Sequence, residues 1–390
     1  MDIAIAGAGI GGLTAALALA RRGFAVEIYE RAAALEEAGA GIQLTPNALN
    51  VLFGLGLGPA LEAHMVVMDA VRIRKGATGG LIQQIPLGQC RQRWGAPYGV
   101  IHRADLQAVL VAAVRQRGIP LHLSRELHSV RQDQKRVILS FAAGAPDVSA
   151  RMLIGADGLW SKLRPLLGLE QPRFAGRRAW RAVIPMQDVP ALFQGLATGL
   201  WLGDNAHFVH YPVRSGQALN LVAVTSAEDA GPGWSTPQPL QALLPHYAGW
   251  DGRLRTLLAT VPQWRTWPLF EGRADGRIAT GRIALIGDAA HPMLPFIAQG
   301  GAAAIEDAAE LTAQLSGADD NDVPARIQDW SRLRLPRVGR IQAEARSNGE
   351  RYHWRWPLAA ARDLGLSALG GQRLLERYDW LYGWKPTETA

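Results

Sequence analysis

The first thirty residues limit what this chain can fold into more than any other stretch. Residues 2–6 read as a short buried strand, Gly7-Ala8-Gly9-Ile10-Gly11-Gly12 as a glycine turn, 13–22 as a helix and 25–30 as a second strand. This is a βαβ unit with GxGxxG at its first turn. Each glycine has its own reason: Gly7 makes the tight turn, Gly9 lets the backbone approach a pyrophosphate, and Gly12 lets the helix pack on the strand. Amides at the helix start, Gly11 among them, face the phosphates, where the helix dipole favours negative charge. Glu30 ends the second strand 18 residues after Gly12, where a carboxylate can accept both hydroxyls of an adenosine ribose. Together they predict a dinucleotide site, and a single GxGxxG predicts a single permanent one.

At 390 residues the chain is too long for one small core, and two lobes are the natural expectation. Its formal charge is +7, but only four of its 41 basic residues are Lys, and the Arg residues are spread along the chain. That pattern argues against nucleic acid and suits small anionic ligands. Cys90 is the only cysteine, so neither a disulfide framework nor a cysteine metal site is expected, which fits a cytoplasmic protein. The apolar run 3–20 lacks a basic leader and contains four Gly. It reads as strand, turn and helix, with no membrane association expected.

Further along, Thr45 and Pro46 suit the cap and first position of a helix. Residues 66–95 alternate in the manner of strands. Arg103 falls in the first turn of a helix whose buried face runs through 106, 109, 110, 113 and 114, a poor place for a cation unless an anion lies opposite. Strands are expected at 119–123, 126–132, 136–141, 151–155, 178–185, 198–202, 207–213, 218–225 and 282–286, with a short helix at 161–167. Asp319-Asp320-Asn321-Asp322 reads as a solvated linker, and 325–349 and 357–378 as closing helices whose Trp and Tyr residues serve packing.

Three glycine-acid motifs thus stand in order: Gly7-x-Gly9-x-x-Gly12, Asp157-Gly158-x-x-Ser161-x-x-Arg164 and Gly287-Asp288-Ala289-Ala290-His291. In these motifs, from residue 2 to the closing Asp379-Trp380-Leu381-Tyr382-Gly383, the chain resembles the single-component FAD-dependent aromatic hydroxylases with the p-hydroxybenzoate hydroxylase fold. Within them it is most similar to salicylate hydroxylase and 3-hydroxybenzoate 6-hydroxylase. The resemblance implies an α/β protein in which a Rossmann-like FAD domain (1–65, 98–173 and 272–318) is interleaved with a mainly antiparallel-sheet substrate domain (66–97 and 174–271), followed by a C-terminal helical segment (323–390). It implies bound FAD, a transient NADH or NADPH, a small aromatic substrate, O2, and a monomer or homodimer.

Carried onto this sequence, the resemblance places Glu30 and Arg31 at the adenosine ribose, Arg103 by the pyrophosphate and Asp288 at the ribityl chain or pyrophosphate. Gln43, Pro295, Gly300 and Gly301 would lie along the flavin, and Asp157 would belong to a motif shared between FAD and the nicotinamide. A carboxylate between a buried strand and a helix start can accept hydroxyl donors and amides, which supports Asp288 independently. Asp157-Gly158 also reads as a plain turn, and His291 as a structural hydrogen-bonding residue. No His/carboxylate spacing suggests a metal.

In such enzymes a flavin C4a-hydroperoxide delivers electrophilic oxygen to an aromatic ring, and attack is easier once a phenol has lost its proton, so a tuned His helps. In His207-Phe208-Val209-His210-Tyr211-Pro212, His207 and Tyr211 share one strand face while His210 points the opposite way. The resemblance favours His207 with Tyr211, and His210 is the fallback. The apolar loop 292–301 suits a water-poor pocket, in which Gln299 either orients substrate or simply caps a turn. Arg181 and Arg214 are candidate carboxylate partners. Several similar enzymes carry His where this chain has Phe296, which counts against a pyridine substrate. The expected activity is NAD(P)H- and O2-dependent hydroxylation of a small phenolic acid. Its rivals are hydroxylation of an N-heterocycle such as urate or hydroxynicotinate, a flavin dehydrogenase or oxidase, and a non-catalytic FAD protein.

Overall fold

The computed structural model describes residues 3–35, 40–231, 233–273 and 276–388; Asp2, expected in the first strand, lies outside the described residues. Ile3–Ala6 lies between Val26–Tyr29 and Met152–Gly155, parallel to both. The full sheet runs Ala279–Thr280, Ile283–Leu285, Met152–Gly155, Ile3–Ala6, Val26–Tyr29, Leu121–His122. Its central strands are almost wholly apolar because a parallel sheet is covered on both faces. The helix Ile10–Arg21 packs against both Arg103–Gln116 and Gly300–Leu315.

A second sheet of eight strands runs Thr236–Gln238, Trp264–Glu271, Arg173–Pro185, Ala218–Ser226, Ala206–Val213, Ala197–Gly203, Ala70–Lys75, Leu81–Pro86. It is antiparallel except where Ala197–Gly203 runs beside Ala70–Lys75. Between the two lies a small sheet of Gly41–Leu44, Gly99–His102 and Val66–Val67. Val66–Val67 pairs antiparallel with Gly99–His102, and Val66 packs in a core shared with Tyr211 and Val213 of the eight-stranded sheet.

Local differences from expectation have local causes. The strand at 119–123 shortens to Leu121–His122 at the sheet edge. Residues 161–167 form only the 3-10 turn Arg164–Leu167, with Pro165 at its start. The closing helix at 357–378 breaks into Leu358–Leu369 and Gly371–Glu376, separated by Gly370 at φ +76°. Asp320 is no idle linker residue: its carboxylate (3.2 Å) and carbonyl (2.9 Å) receive the guanidinium of the buried Arg282. Among the described residues no helix is long and apolar enough to cross a membrane.

The long helix Val323–Tyr352 is fastened to the first lobe through buried charge. Glu306 and Asp307, adjacent on Gly300–Leu315, are wholly buried. Asp307 Oδ2 accepts from the Gly287 amide (2.9 Å) and pairs with His291 Nε2 (2.6 Å), while its Oδ1 accepts from Arg334 Nε at 2.8 Å. Glu306 accepts Arg337 twice (2.7 and 2.6 Å) and Asn47 Nδ2 (2.6 Å), and forms an ion pair with Arg334 Nη1 at 2.9 Å. Burial alone pushes the Asp307 carboxyl up, but His291, Arg334 and the Gly287 amide outweigh it and hold the group at about 2.

Removing one partner of a buried pair strands the other charge, so Arg334→Met is expected to lower stability by about 3–5 kcal/mol, measured by urea unfolding at pH 7. Because the folded pKa of Asp307 is depressed, its contribution is complete above the unfolded value near 4 and is lost as pH falls through about 2. Asp307→Asn should accordingly flatten the fall in stability over that window.

Candidate active site

Cavities of about 480 and 320 Å³ adjoin between the two large sheets, and a third of about 520 Å³ adjoins them between the eight-stranded sheet and the C-terminal helices. Gly9, Arg103, Arg181, Asp288, Met293 and Pro295 line the first and second. Gln43, His207, Val209, Pro295, Phe296 and Ala298 line the second and third. They form one trough from Glu30 to the C-terminal helices, with Pro295 touching all three.

The glycine turn borders this trough, and its glycines divide by cause. A Cβ on Gly7, whose φ is +106°, would lie 2.3 Å from the Ala156 carbonyl oxygen, and one on Gly12 would lie 2.1 Å from that of Gly7. Both are fixed by packing. A Cβ on Gly9 would meet nothing within 4 Å, and its φ of −75° suits any residue. Its absence leaves a cradle open to the trough, the fit that a pyrophosphate requires. The helices Ile10–Arg21 and Gly300–Leu315 both begin here, neither with an acid in its first turn. Gly11, Gly300 and Gly301 line the same compartment.

Glu30 accepts the amides of Ala8 (2.7 Å) and Ala32 (2.9 Å), which aims its carboxylate along the trough beside Arg31. Asp288 is accessible from the trough yet surrounded by protein. Desolvation raises its pKa, countered by the charges of Arg103 and His291. Arg103 opens the helix Arg103–Gln116, as expected, and lines two of the three compartments. Gln43 accepts the Tyr98 hydroxyl and borders the second and third compartments.

Asp157 is turned away. Its Oδ2 accepts from the Lys162 amide (3.0 Å), and it is its neighbours Ala156, Gly158 and Leu159 that line the trough. Gln299 is also not at the site. It is wholly buried, with Nε2 donating to Thr45 Oγ1 (3.0 Å) and Oε1 accepting from Asn47 Nδ2 (3.0 Å). It fastens the loop and lines none of the three compartments. Thr45 likewise makes no side-chain cap; its hydroxyl donates to Asn47 Oδ1 at 2.6 Å.

On the eight-stranded sheet, His207, Val209 and Tyr211 face the trough. His210 faces the other way, against Phe193 and Phe208, and Arg214 lies in an exposed hairpin turn, so neither belongs to the site. Arg181 lines the trough, its guanidinium 5.4 Å from the Trp267 ring centre. Arg181 Nε and Arg177 Nη1 are buried and have no hydrogen-bond partner among the described residues.

His207 has a partner the sequence did not disclose. Its Nδ1 is 2.7 Å from Nε2 of His353, the residue that ends the long helix, and the rings stack at 4.9 Å. Burial pushes His207 down to about 3, with Arg177 adding to the effect; burial and the His207 ring lower His353 as well. Both rings are therefore neutral at ordinary pH. The 146-residue separation leaves no local pattern from which this pairing could be read. Trp354, Tyr378, Trp380 and Tyr382, expected as packing, also form cavity wall.

The FAD binding domain family matches residues 1–345. The chain belongs to that family and is an FAD-dependent aromatic hydroxylase. The hydroxylase is 36% identical over 385 residues to 3-amino-4-hydroxybenzoate 2-monooxygenase of Streptomyces platensis, covering 98% of this chain and 96% of that one. It is 33% identical to 3-hydroxybenzoate 6-hydroxylase of Polaromonas naphthalenivorans, covering 98% and 96%. Among solved structures, it matches Klebsiella pneumoniae HpxO complexed with FAD and uric acid at TM-score 0.86 and 26% identity, covering 98% and 96%. A salicylate hydroxylase substrate complex matches at TM-score 0.85 and 24% identity, covering 99% and 96%, and shares the fold.

The division among the glycines is testable. Gly9→Ala is expected to fold with unchanged thermal stability as apoprotein yet bind FAD at least tenfold more weakly, since the added Cβ fills only the cradle. Gly7→Ala should instead destabilise the apoprotein by several kcal/mol, of the order of a severe steric clash in a packed turn. Calorimetry of apoprotein and titration with FAD separate the two.

Proposed function

We propose that this flavoprotein hydroxylates a small phenolic acid, drawing electrons from NAD(P)H and oxygen from O2, and that His207 takes the phenol proton. The observation that carries the reading is one sheet face on which a neutral buried His, a Tyr and a buried Arg line the compartment into which Gly300–Leu315 opens. Gly9, Glu30, Arg31, Arg103, Asp288, Gly300 and Gly301 would hold FAD, which when bound supplies the redox chemistry between nicotinamide and O2.

The protein's own part is charge and proton handling. Arg181, with an unsatisfied Nε, suits a substrate carboxylate. His207 has its Nδ1 occupied by His353, so Nε2 is the nitrogen left for the substrate hydroxyl. When His207 donates Nδ1–H to His353 Nε2, Nε2 is an acceptor and can take the phenol proton. His353 is thus a positioning residue that selects the tautomer. Phe296 and Pro295 exclude water from the compartment. A cytoplasmic setting agrees with the single cysteine.

NADH and NADPH oxidation by the flavinated protein should be stimulated by salicylate or a hydroxybenzoate, with product mass rising by one oxygen. No stimulation by any phenolic acid, but stimulation by urate or hydroxynicotinate, would replace this reading with the heterocycle reading that the uric acid complex favours. His207→Ala should cut hydroxylation by about 10²–10⁴-fold while FAD content stays full.

The depressed pKa of His207 keeps it neutral down to about pH 3, so kcat/KM should show no acidic limb near 6.5. A limb there that disappears in His207→Asn would contradict the depressed pKa while keeping His207 as the base. His353→Gln, which can still accept at its amide oxygen, should retain more activity than His353→Phe.

A further inference from the structure

The phenolic-acid reading accounts for the compartment beside the glycine turn and the one over Gly300, but not for the largest. That outer compartment, about 520 Å³, lies between the edge of the eight-stranded sheet and the C-terminal helices. Its sheet wall is apolar: Ile73, Leu200, Leu202 and Val209 face it, and Leu366 faces them from the helix Leu358–Leu369. Charge appears in its lining only on the C-terminal helical side, among residues such as Arg340 and Arg377.

The compartment adjoins the reaction site. His207 and Phe296 line both, so any group attached to a ring held at His207 and pointing outward is directed toward it. Besides His207, the polar side chain of the sheet in this lining is Thr198, whose hydroxyl oxygen is itself sealed from the cavity. Thr198 is 4% exposed, and its Oγ1 has no hydrogen-bond partner among the described residues. A single-ring acid reaching no further than His207 would leave these apolar walls in contact with water. Cavities of roughly 300–1,000 Å³ with apolar walls and few polar groups are those that enclose a ligand larger than one ring.

We infer that the substrate is a phenolic acid bearing an apolar arm of several carbons, which this outer compartment receives. This deepens the phenolic-acid reading and rests on it.

The test is a series of hydroxybenzoates carrying methyl to butyl substituents at each open ring position. Turnover is followed by NAD(P)H oxidation and product mass, and binding by the perturbation of the flavin absorbance. At one ring position, affinity and kcat/KM should rise about fourfold for each added methylene, the gain from moving one such group out of water. In Leu366→Trp, which fills the compartment from an outer helix with no buried residue, the rise per methylene should collapse toward one when normalised to unsubstituted hydroxybenzoate in the same variant.

Turnover of hydroxybenzoate with no chain-length gain at any position would overturn the arm and leave the phenolic-acid reading intact. A gain that Leu366→Trp does not alter would overturn its placement. Failure of every phenolic acid to be turned over would overturn the reading on which the inference rests.

Discussion

The architecture depends on two adjacent carboxylates that water never reaches. Glu306 and Asp307 sit on the inner side of Gly300–Leu315, and each is surrounded by donors from segments far away in sequence. Desolvating two anions side by side is costly, and only complete pairing offsets it. The pairing is what ties the molecule together. Asp307 holds the Gly287 amide and His291, so the turn that presents Asp288 to the trough is fixed by the helix behind it. Glu306 holds Asn47, which holds Gln299, which sets the loop leading into the helix start. Arg334 and Arg337 bring in the long helix, whose last turn delivers Tyr352 and His353 beneath His207.

The site is therefore assembled across the whole chain rather than within either sheet. The parallel sheet contributes the glycine turn and Asp288, while the antiparallel sheet contributes His207, Tyr211 and Arg181. The C-terminal helices close the far end. A trough between two rigid layers is where a large planar group and a small ring can be held face to face, because neither layer must move to make the contacts.

Much of this was legible where function and local backbone coincide. GxGxxG, Glu30 and the start of the Arg103 helix follow from spacing alone, because the βαβ unit fixes its own geometry. The alternation of 206–213 gave the facing of His207 and Tyr211, and the opposite facing of His210, because a strand has a period of two. What remained hidden depended on where side chains point after distant elements pack. Gln299 sits in a loop whose orientation is set by Thr45 and Asn47, some 250 residues away. Asp320 looks solvated until Arg282 is found buried beneath it. His353 ends a long helix, and its relation to His207 exists only once that helix is laid across the second sheet.

The same packing explains how a histidine with so low a pKa can serve as a base. Burial is the main cause of the depression, and Arg177 is the second. Arg177 and Arg181 stand four residues apart on one strand, on the same face, each with a buried nitrogen lacking a protein partner among the described residues. An anionic substrate drawn to these cations neutralises part of the field that keeps His207 unprotonated. The low dielectric that made the cation's effect large makes the anion's effect large too. Each unit by which the pKa recovers corresponds to about 1.4 kcal/mol of added proton affinity. On the proposed reading, His207 would be a weak base in the empty site and a stronger one once a substrate carboxylate arrives. On the same reading, a ligand lacking the charge would leave the proton on the phenol and the ring unactivated.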